Sequence, residues 1–376
     1  MKILHTAKIV GIAGAENYLL KALPAMKAKG LDICFLSLTP ENQRGDEAEF
    51  NRQLRESGIQ VYTIYYKRIG LKTRAQIRRL IQNEQPDLVH SHLIHADFFM
   101  AITRKLSRKK FKLVSTKHGH DETYMNNHGF DANGKKEMKF HWVARSAEKQ
   151  IHRSFAISKG LRDLFVSHGI CKGEKIDTIY YGFDFNNEHI KENPELRESP
   201  KQLVFVGRFT ELKGHRQAIE AVRLLLPQFP KLKLVLIGSG YFEDEMKRLV
   251  ADLDLKDQVL FKGYQSNSID YMASSDVVLI PSKAEGFGLV LLEAYSVKKT
   301  VVTFDVPALN EHIIDGQTGL LATPYESESL AEKVRELLAH PEQCSSMGEA
   351  GYQHLKENYM LDKMISETLN FYQRCI

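Results

Sequence analysis

Short β-branched runs alternate with stretches of helical period along almost the whole chain, and this restricts the fold more than any other feature. "KILHTA", "DICFLSL", "VYTIYY", "DLVHSH", "FKLVSTKH", "RSFAIS" and "IDTIYYG" read as strands. Amphipathic stretches such as "AENYLLKALPAMKAKG" and "GDEAEFNRQLRESG" lie between them. Strands separated by helices need crossover connections, so they pair in parallel under helices on both faces. The polar stretch "NNEHIKENPELRESPK", with two prolines and no apolar period, interrupts the pattern and reads as a linker. The alternation then restarts with "KQLVFVGR", "KLKLVLIGSG", "DQVLFKGY", "SDVVLIPS" and "KTVVTFD". The expected fold class is therefore α/β, with two doubly wound, Rossmann-like parallel-sheet domains facing across a cleft. Residues 1–185 form the first, 186–200 the linker and 201–358 the second, while the closing helical stretch, 359–376, is expected to pack back toward the first domain.

Composition narrows the class further. A chain of 376 residues with 43% apolar and 26% charged residues is ordinary globular protein, long enough for two domains. It holds no apolar run of about 18 residues that would suggest a membrane span. "MKILHTAKIV" lacks the apolar core and cleavage site of a signal peptide and reads as a first strand. Cys34, Cys171, Cys344 and Cys375 are scattered without a Cys-x-x-Cys pair, which points to a reducing cytoplasm and away from structural zinc. Charge is uneven. Residues 1–200 carry 33 Lys and Arg against 23 Asp and Glu, and the rest carry 19 against 24. A basic first half suits an anionic partner, and a solvated surface accounts for it as well.

Doubly wound sheets bind ligands beyond the carboxyl ends of their strands, so chemistry is sought there. Gly238-Ser239-Gly240 lacks the third glycine of a dinucleotide fingerprint, "GIAGAE" does not supply one, and no Walker lysine motif exists. "PSKAEGFGLVLLEAYS" is more informative. Gly286 and Gly288 allow close backbone approach, and a helix beginning near Leu289 offers free N–H groups to a phosphate. Glu293 lies about one turn into that helix, within reach of a ribose diol, and Glu285 precedes the turn. In "GRFTELKGH", Arg208 and Lys213 flank a turn closed by Gly214, and two cations so placed can clamp a diphosphate. His118 ends a strand and opens the long polar stretch His118–Glu137, the position of a catalytic contact beside a binding loop. His90, His92 and His95 raise the question of a metal, but their spacing along one strand end does not converge three imidazoles. Asp252 and Asp254 sit in a helical pattern and read as solvated surface.

These residues, taken in order, resemble the retaining glycosyltransferases of the GT-B fold, the group that includes glycogen and sucrose synthases and bacterial lipopolysaccharide and phosphoinositol-mannoside transferases. "EGFGLVLLE" matches the Glu-x7-Glu motif with Glu285 and Glu293, and "VGRFTELKGHRQAIEAV" matches a second signature. "GAENYLL", "FAISKGLRDLF", "YGFDF" and "NEHIIDGQTGLLA" follow the family order over nearly the whole chain. The resemblance implies a nucleotide-sugar donor, with UDP as the default base. Arg208 and Lys213 would hold the diphosphate and stabilise the leaving group, Glu293 the ribose, and Glu285 the sugar near its anomeric carbon. Gly286, Phe287, Gly288 and Leu289 would give backbone contacts, Gly14 would lie under the diphosphate, and Gly263 joins the donor-binding set. His118 would contact the donor sugar or polarise the acceptor hydroxyl. No cofactor or metal is implied, because the two cations and the helix dipole take the place of a magnesium ion. The chain departs from the family at Ala13-Gly14, at Tyr181-Gly182 and in "DVPALNEHI", where Glu311 stands as the equivalent acid.

The implied mechanism is front-face attack of the acceptor on the anomeric carbon with the leaving phosphate taking the proton, and a covalent route through Glu285 is the lesser option. For the acceptor, "RKLSRKKFK", "RIGLKTRAQIRRLI" and "KKEMKFHWVARSAEK", with the single tryptophan Trp142, suit an anionic membrane surface. The expected partner is a glycan or lipid-linked acceptor in envelope polysaccharide or lipopolysaccharide synthesis, not nucleic acid. The expected location is the cytoplasm, peripheral on the inner face of its membrane. Ordinary helix faces account for the same stretches. A sugar-nucleotide 2-epimerase of the same architecture and a non-catalytic sugar-nucleotide scaffold are the alternatives.

Overall fold

The computed structural model describes residues 1–12, 14–67, 70–107, 110–120, 139–184, 187 and 189–376. These divide into two compact units, each with its own parallel sheet.

The first unit runs to Phe183 and regains the chain at Leu361–Ile376. Its elements are β1 (Lys2–Lys8), α1 (Gly14–Ala28), β2 (Asp32–Pro40), α2 (Ala48–Glu56), β3 (Gln60–Tyr66), α3 (Leu71–Glu84), β4 (Leu88–His92), α4 (Leu93–Leu106), β5 (Leu113–Lys117), α5 (Lys139–Glu148), β6 (Arg153–Ala156), α6 (Lys159–Ser167) and β7 (Ile176–Thr178). The sheet order is β3-β2-β1-β4-β5-β6-β7, so the winding reverses between β1 and β4. Every described side chain of β4 and β5 is buried, as expected for strands covered on both faces. Leu4, Leu36, Val89, Phe99, Met100 and Leu113 form part of the apolar centre.

That centre also holds charge. The Lys117 Nζ lies 2.7 Å from Asp97 Oδ2 and 2.9 Å from Glu148 Oε2, all three nearly inaccessible. Asp97 Oδ1 accepts from Ser91 and Ser115 at 2.5 and 2.7 Å, and Glu148 Oε1 accepts from Ser154 at 2.7 Å. The carboxylate lone pairs are therefore met, the condition under which an interior ion cluster is tolerable. Burial disfavours the Lys117 charge, but the two carboxylates outweigh it and the net pKa rises. Burial raises Asp97.

The second unit begins at Asp184 and ends at Met360. It contains β8 (Gln202–Val206), α7 (His215–Leu225), β9 (Lys233–Ile237), α8 (Glu243–Asp252), β10 (Val259–Phe261), α9 (Ser268–Ala273), β11 (Val277–Ile280), α10 (Leu289–Ser296), β12 (Val301–Phe304), β13 (Gly319–Ala322), α11 (Ser327–Ala339) and α12 (Pro341–Asn358). Its order, β10-β9-β8-β11-β12-β13, reverses between β8 and β11. The sequence reading has five strands here, and the sixth, β13, is the short "GLLA". Asp252 ends α8, and Asp254 takes φ 56°, so the helical pattern read through "ADLDLKD" stops earlier than its period suggests.

The polar stretch before β8 is docked on this unit. Arg197 bonds Asp276 at 2.8 Å and the Ser274 carbonyl at 3.3 Å, and Asn187 donates to Ser296 at 2.8 Å. The last helix, α13 (Leu361–Gln373), belongs to the first unit, where the Leu361 amide donates to the Phe183 carbonyl at 3.2 Å and Phe371 and Tyr372 are fully buried. Among the described residues, no helix is long and apolar enough to cross a membrane.

Candidate functional site

The reversal between β8 and β11 makes their carboxyl ends neighbours, and a switch point of this kind opens a crevice at the strand ends. β8 leads into Gly207 and the exposed Arg208, and β11 leads into Pro281 and Ser282. The two loops are locked together by backbone. Lys283 N donates to Leu212 O at 2.7 Å. Gly214 takes φ 78° to start α7, and a Cβ there would stand 1.9 Å from the Pro281 carbonyl oxygen. Only glycine permits both the turn and the approach.

That contact brings side chains together. Lys213 Nζ lies 2.5 Å from Glu285 Oε1, which also accepts from Ser282 Oγ at 2.8 Å. Both charged side chains are mostly shielded, at 21% and 14% exposed. An ammonium has three donors, so pairing with Glu285 leaves Lys213 able to meet a further anion. Ser282 carries no signal of its own in the sequence and is found only through this bond.

Gly286, Phe287 and Gly288 lead from Glu285 into α10. Gly288 caps it at φ 89°, with Leu309 Cδ2 2.5 Å from where a Cβ would stand. The α10 N-terminus thus presents backbone N–H groups beside Glu285, and Leu289 is its first residue. Phe287 is buried, its ring 4.5 Å from that of His312, so its side chain anchors the loop and only its backbone can face a ligand. Glu293 lies in the second turn of α10, half-buried. Gly263 follows β10 at φ 66°, and its carbonyl accepts from Gly238 N at 2.8 Å, which puts it at the carboxyl edge of the same sheet. Glu311 sits in a short 3-10 turn before buried His312. Burial among Phe205 and Phe209, then the nearby Lys213, hold His215 at about 3, neutral at the start of α7.

In the first unit, Gly14 opens α1 at the carboxyl edge of β1, exposed. His118 follows β5 and is buried. Its Nε2 meets His92 Nδ1 at 2.9 Å and its Nδ1 meets the Tyr181 hydroxyl. Both ring nitrogens are thus engaged within the unit, which the expectation of a sugar or acceptor contact did not include. Burial holds His118 at about 3. Ala13 and residues 121–138, which include most of the long polar loop, lie outside the described residues, as do Arg68, Ile69, Arg108, Lys109 and Phe185.

The three histidines of "HSHLIH" divide. His95 is exposed on α4, whereas His90 and His92 do converge, with His5 of β1 as the third ring. His5 and His90 are register partners across β1 and β4. Their nitrogens lie within 4.8 Å of one another, close enough to consider a metal. Each ring also has organic partners. His5 Nδ1 meets His92 Nε2 at 3.0 Å, and His90 is bonded to Tyr372 and Thr116 hydroxyls at 2.6 and 2.7 Å.

Comparison with known proteins covers both units. Residues 12–187 match the family model described as Glycosyltransferase Family 4, and residues 186–354 match Glycosyl transferases group 1. The N-acetyl-alpha-D-glucosaminyl L-malate synthase of Bacillus anthracis is 27% identical over 331 residues, 86% of this chain and 84% of that one. Among solved structures, Anabaena HepE in complex with UDP superposes with a TM-score of 0.82 at 21% identity over 100% of both chains. HepE with UDP-glucose gives 0.81 at 21% identity, covering 98% of this chain and 99% of that one. The lipopolysaccharide outer core galactosyltransferase WaaB gives 0.77 at 18% identity over 99% and 100%.

Proposed function

Because this chain belongs to the glycosyltransferases of the GT-B fold, we propose that it transfers a hexosyl group from a UDP-sugar to a hydroxyl of a glycan or lipid-linked acceptor, with retention and without a metal. The observation that carries this is the Lys213–Glu285 pair at the β8/β11 switch point, next to the α10 N-terminus. Arg208 and Lys213 bind the diphosphate and stabilise its charge as the sugar leaves, and the α10 amides with Gly286–Leu289 take the phosphate and sugar oxygens. Glu293 takes the ribose diol, and Glu285, steadied by Ser282, bears on the donor sugar. On the family resemblance, Gly14 and Gly263 each bear on the donor, and His118 contacts the donor sugar or polarises the acceptor hydroxyl. The acceptor oxygen attacks on the face from which the diphosphate departs, and the departing phosphate oxygen receives the acceptor proton.

UDP as the base is supported by HepE, which binds UDP and UDP-glucose and resembles this chain along its full length. An envelope or lipopolysaccharide acceptor is supported by the likeness to WaaB. Thermal shift with UDP-, GDP- and ADP-sugars tests the base. UDP-sugars are expected to raise Tm, and selective stabilisation by a GDP- or ADP-sugar would replace that assignment.

The protein acts at an anionic membrane surface. Leu71, at the start of α3 and followed by Lys72 and Arg74, is 78% exposed, and Trp142 in α5 is 67% exposed. Exposed apolar side chains among cations suit a headgroup layer. Co-sedimentation with acidic but not neutral vesicles is expected, and absence of binding at low salt would end this reading.

A further inference from the structure

The buried imidazoles of the first unit form a file. His5 Nδ1 meets His92 Nε2 at 3.0 Å, His92 Nδ1 meets His118 Nε2 at 2.9 Å, and His118 Nδ1 meets the Tyr181 hydroxyl. His5, His92 and His118 are buried, and burial lowers the pKa of each. A neutral imidazole has one N–H and one bare nitrogen. Rings joined nitrogen to nitrogen can then be satisfied only head to tail, so one tautomer dictates the next.

Two directions are possible, and the end of the file chooses between them. His5 Nε2 is buried with no hydrogen-bond partner. Were Tyr181 the first donor, the last proton would sit on that nitrogen as an orphan N–H, which native interiors rarely contain. The opposite direction leaves only a bare lone pair there. His5 Nδ1–H then donates to His92, His92 Nδ1–H to His118, and His118 Nδ1–H to Tyr181.

We propose that His92 and, through it, His5 are positioning residues that set His118 as the Nδ1–H tautomer, with Nε2 accepting from His92 and neither nitrogen free for proton transfer. The role this gives His118 is that of a fixed, neutral ring, and it rests on the reading that His118 takes part in the transfer reaction. Tyr181, which accepts from His118, keeps its own hydroxyl proton to donate. Its ring stacks on Tyr18 of α1 at 4.4 Å, so the file ends beside the helix that Gly14 opens.

The test uses the full chain labelled with 15N-histidine. Long-range proton–nitrogen NMR is expected to report Nδ1–H for His5, His92 and His118. In His92→Phe, His118 should lose its single tautomer, and kcat should fall about tenfold, the equivalent of one lost hydrogen bond, with KM for the donor unchanged. His92→Asn, whose amide donor falls where Nδ1–H stood, should restore both readouts, and His92→Gln should not. Three results would each overturn the proposal: Nε2–H on His118 in the unaltered protein, an unchanged His118 tautomer and kcat in His92→Phe, or stoichiometric zinc held by His5, His90 and His92 in the purified protein. An intact file in the spectra with a fully active His118→Phe would instead remove His118 from the transferase site.

Discussion

Lys213 and Glu285 form an ion pair at 2.5 Å across two loops that are 72 residues apart in the chain. The sequence reading assigned them to different parts of one ligand, Lys213 to the diphosphate and Glu285 to the sugar. Their pairing means that each fixes the other before a ligand arrives, which is the preorganisation that electrostatic catalysis needs. Lys213→Ala and Arg208→Ala are each expected to lower kcat by about 100- to 1000-fold, with a smaller effect on KM for the acceptor. Steady-state kinetics checks this, and near-normal turnover in both variants would remove the clamp.

The approach of Gly214 to Pro281 separates sterics from conformation. Gly263 has a similar positive φ of 66° but open space where a Cβ would go. Gly263→Ala should therefore cost about 1–2 kcal/mol, the penalty of the left-handed region alone. Gly214→Ala must also displace the Pro281 carbonyl and should cost clearly more. Chemical denaturation of the two variants side by side gives the comparison, and equal losses would contradict it.

The strands were legible where β-branched residues run together, and the adjacency of β8 and β11 follows from the doubly wound order once the helices between them are recognised. β13 was not legible. "GLLA" has no β-branched residue and opens with glycine, so nothing local marks it as a strand. The histidines show a second limit. Spacing along β4 reveals only that His90 and His92 share a face, and the third ring comes from β1 through the register His5↔His90, which no local pattern encodes. The ion cluster was not legible either: Asp97 stands alone among apolar residues in "HADFFMAI", Lys117 stands among polar ones in "STKHGH", and only tertiary packing joins them with Glu148.

Removal of Lys117 tests that cluster. Lys117→Met leaves two carboxylates buried without their cation and should cost about 3–5 kcal/mol in urea denaturation. Adding Glu148→Gln to it should recover part of the loss, because one uncompensated charge is gone. A double variant no more stable than the single one would count against this account.

Acid should destabilise the protein through its buried histidines. Burial holds His5, His118 and His215 at about 3, and His90 and His92 lie well below their ordinary value. The unfolded chain takes up these protons near pH 6.5, and the native chain does not. Stability is therefore full above about pH 6.5 and falls as pH drops toward 3, by up to about 1.4 kcal/mol per pH unit for each histidine. Melting curves at pH 7.5, 6 and 5 should show Tm falling most steeply below 6, and less steeply in His215→Phe. A flat profile would contradict it.

The return of α13 to the first unit has a consequence for biogenesis. Tyr372 and Phe371 fill the interior of a unit whose other strands are all translated before residue 184. The ribosome must make residues 184–360 before it reaches α13. At about 5–20 residues per second, the nascent first unit waits roughly 10–35 s with an apolar slot uncovered. Over that interval the slot is a surface for chaperones to shield.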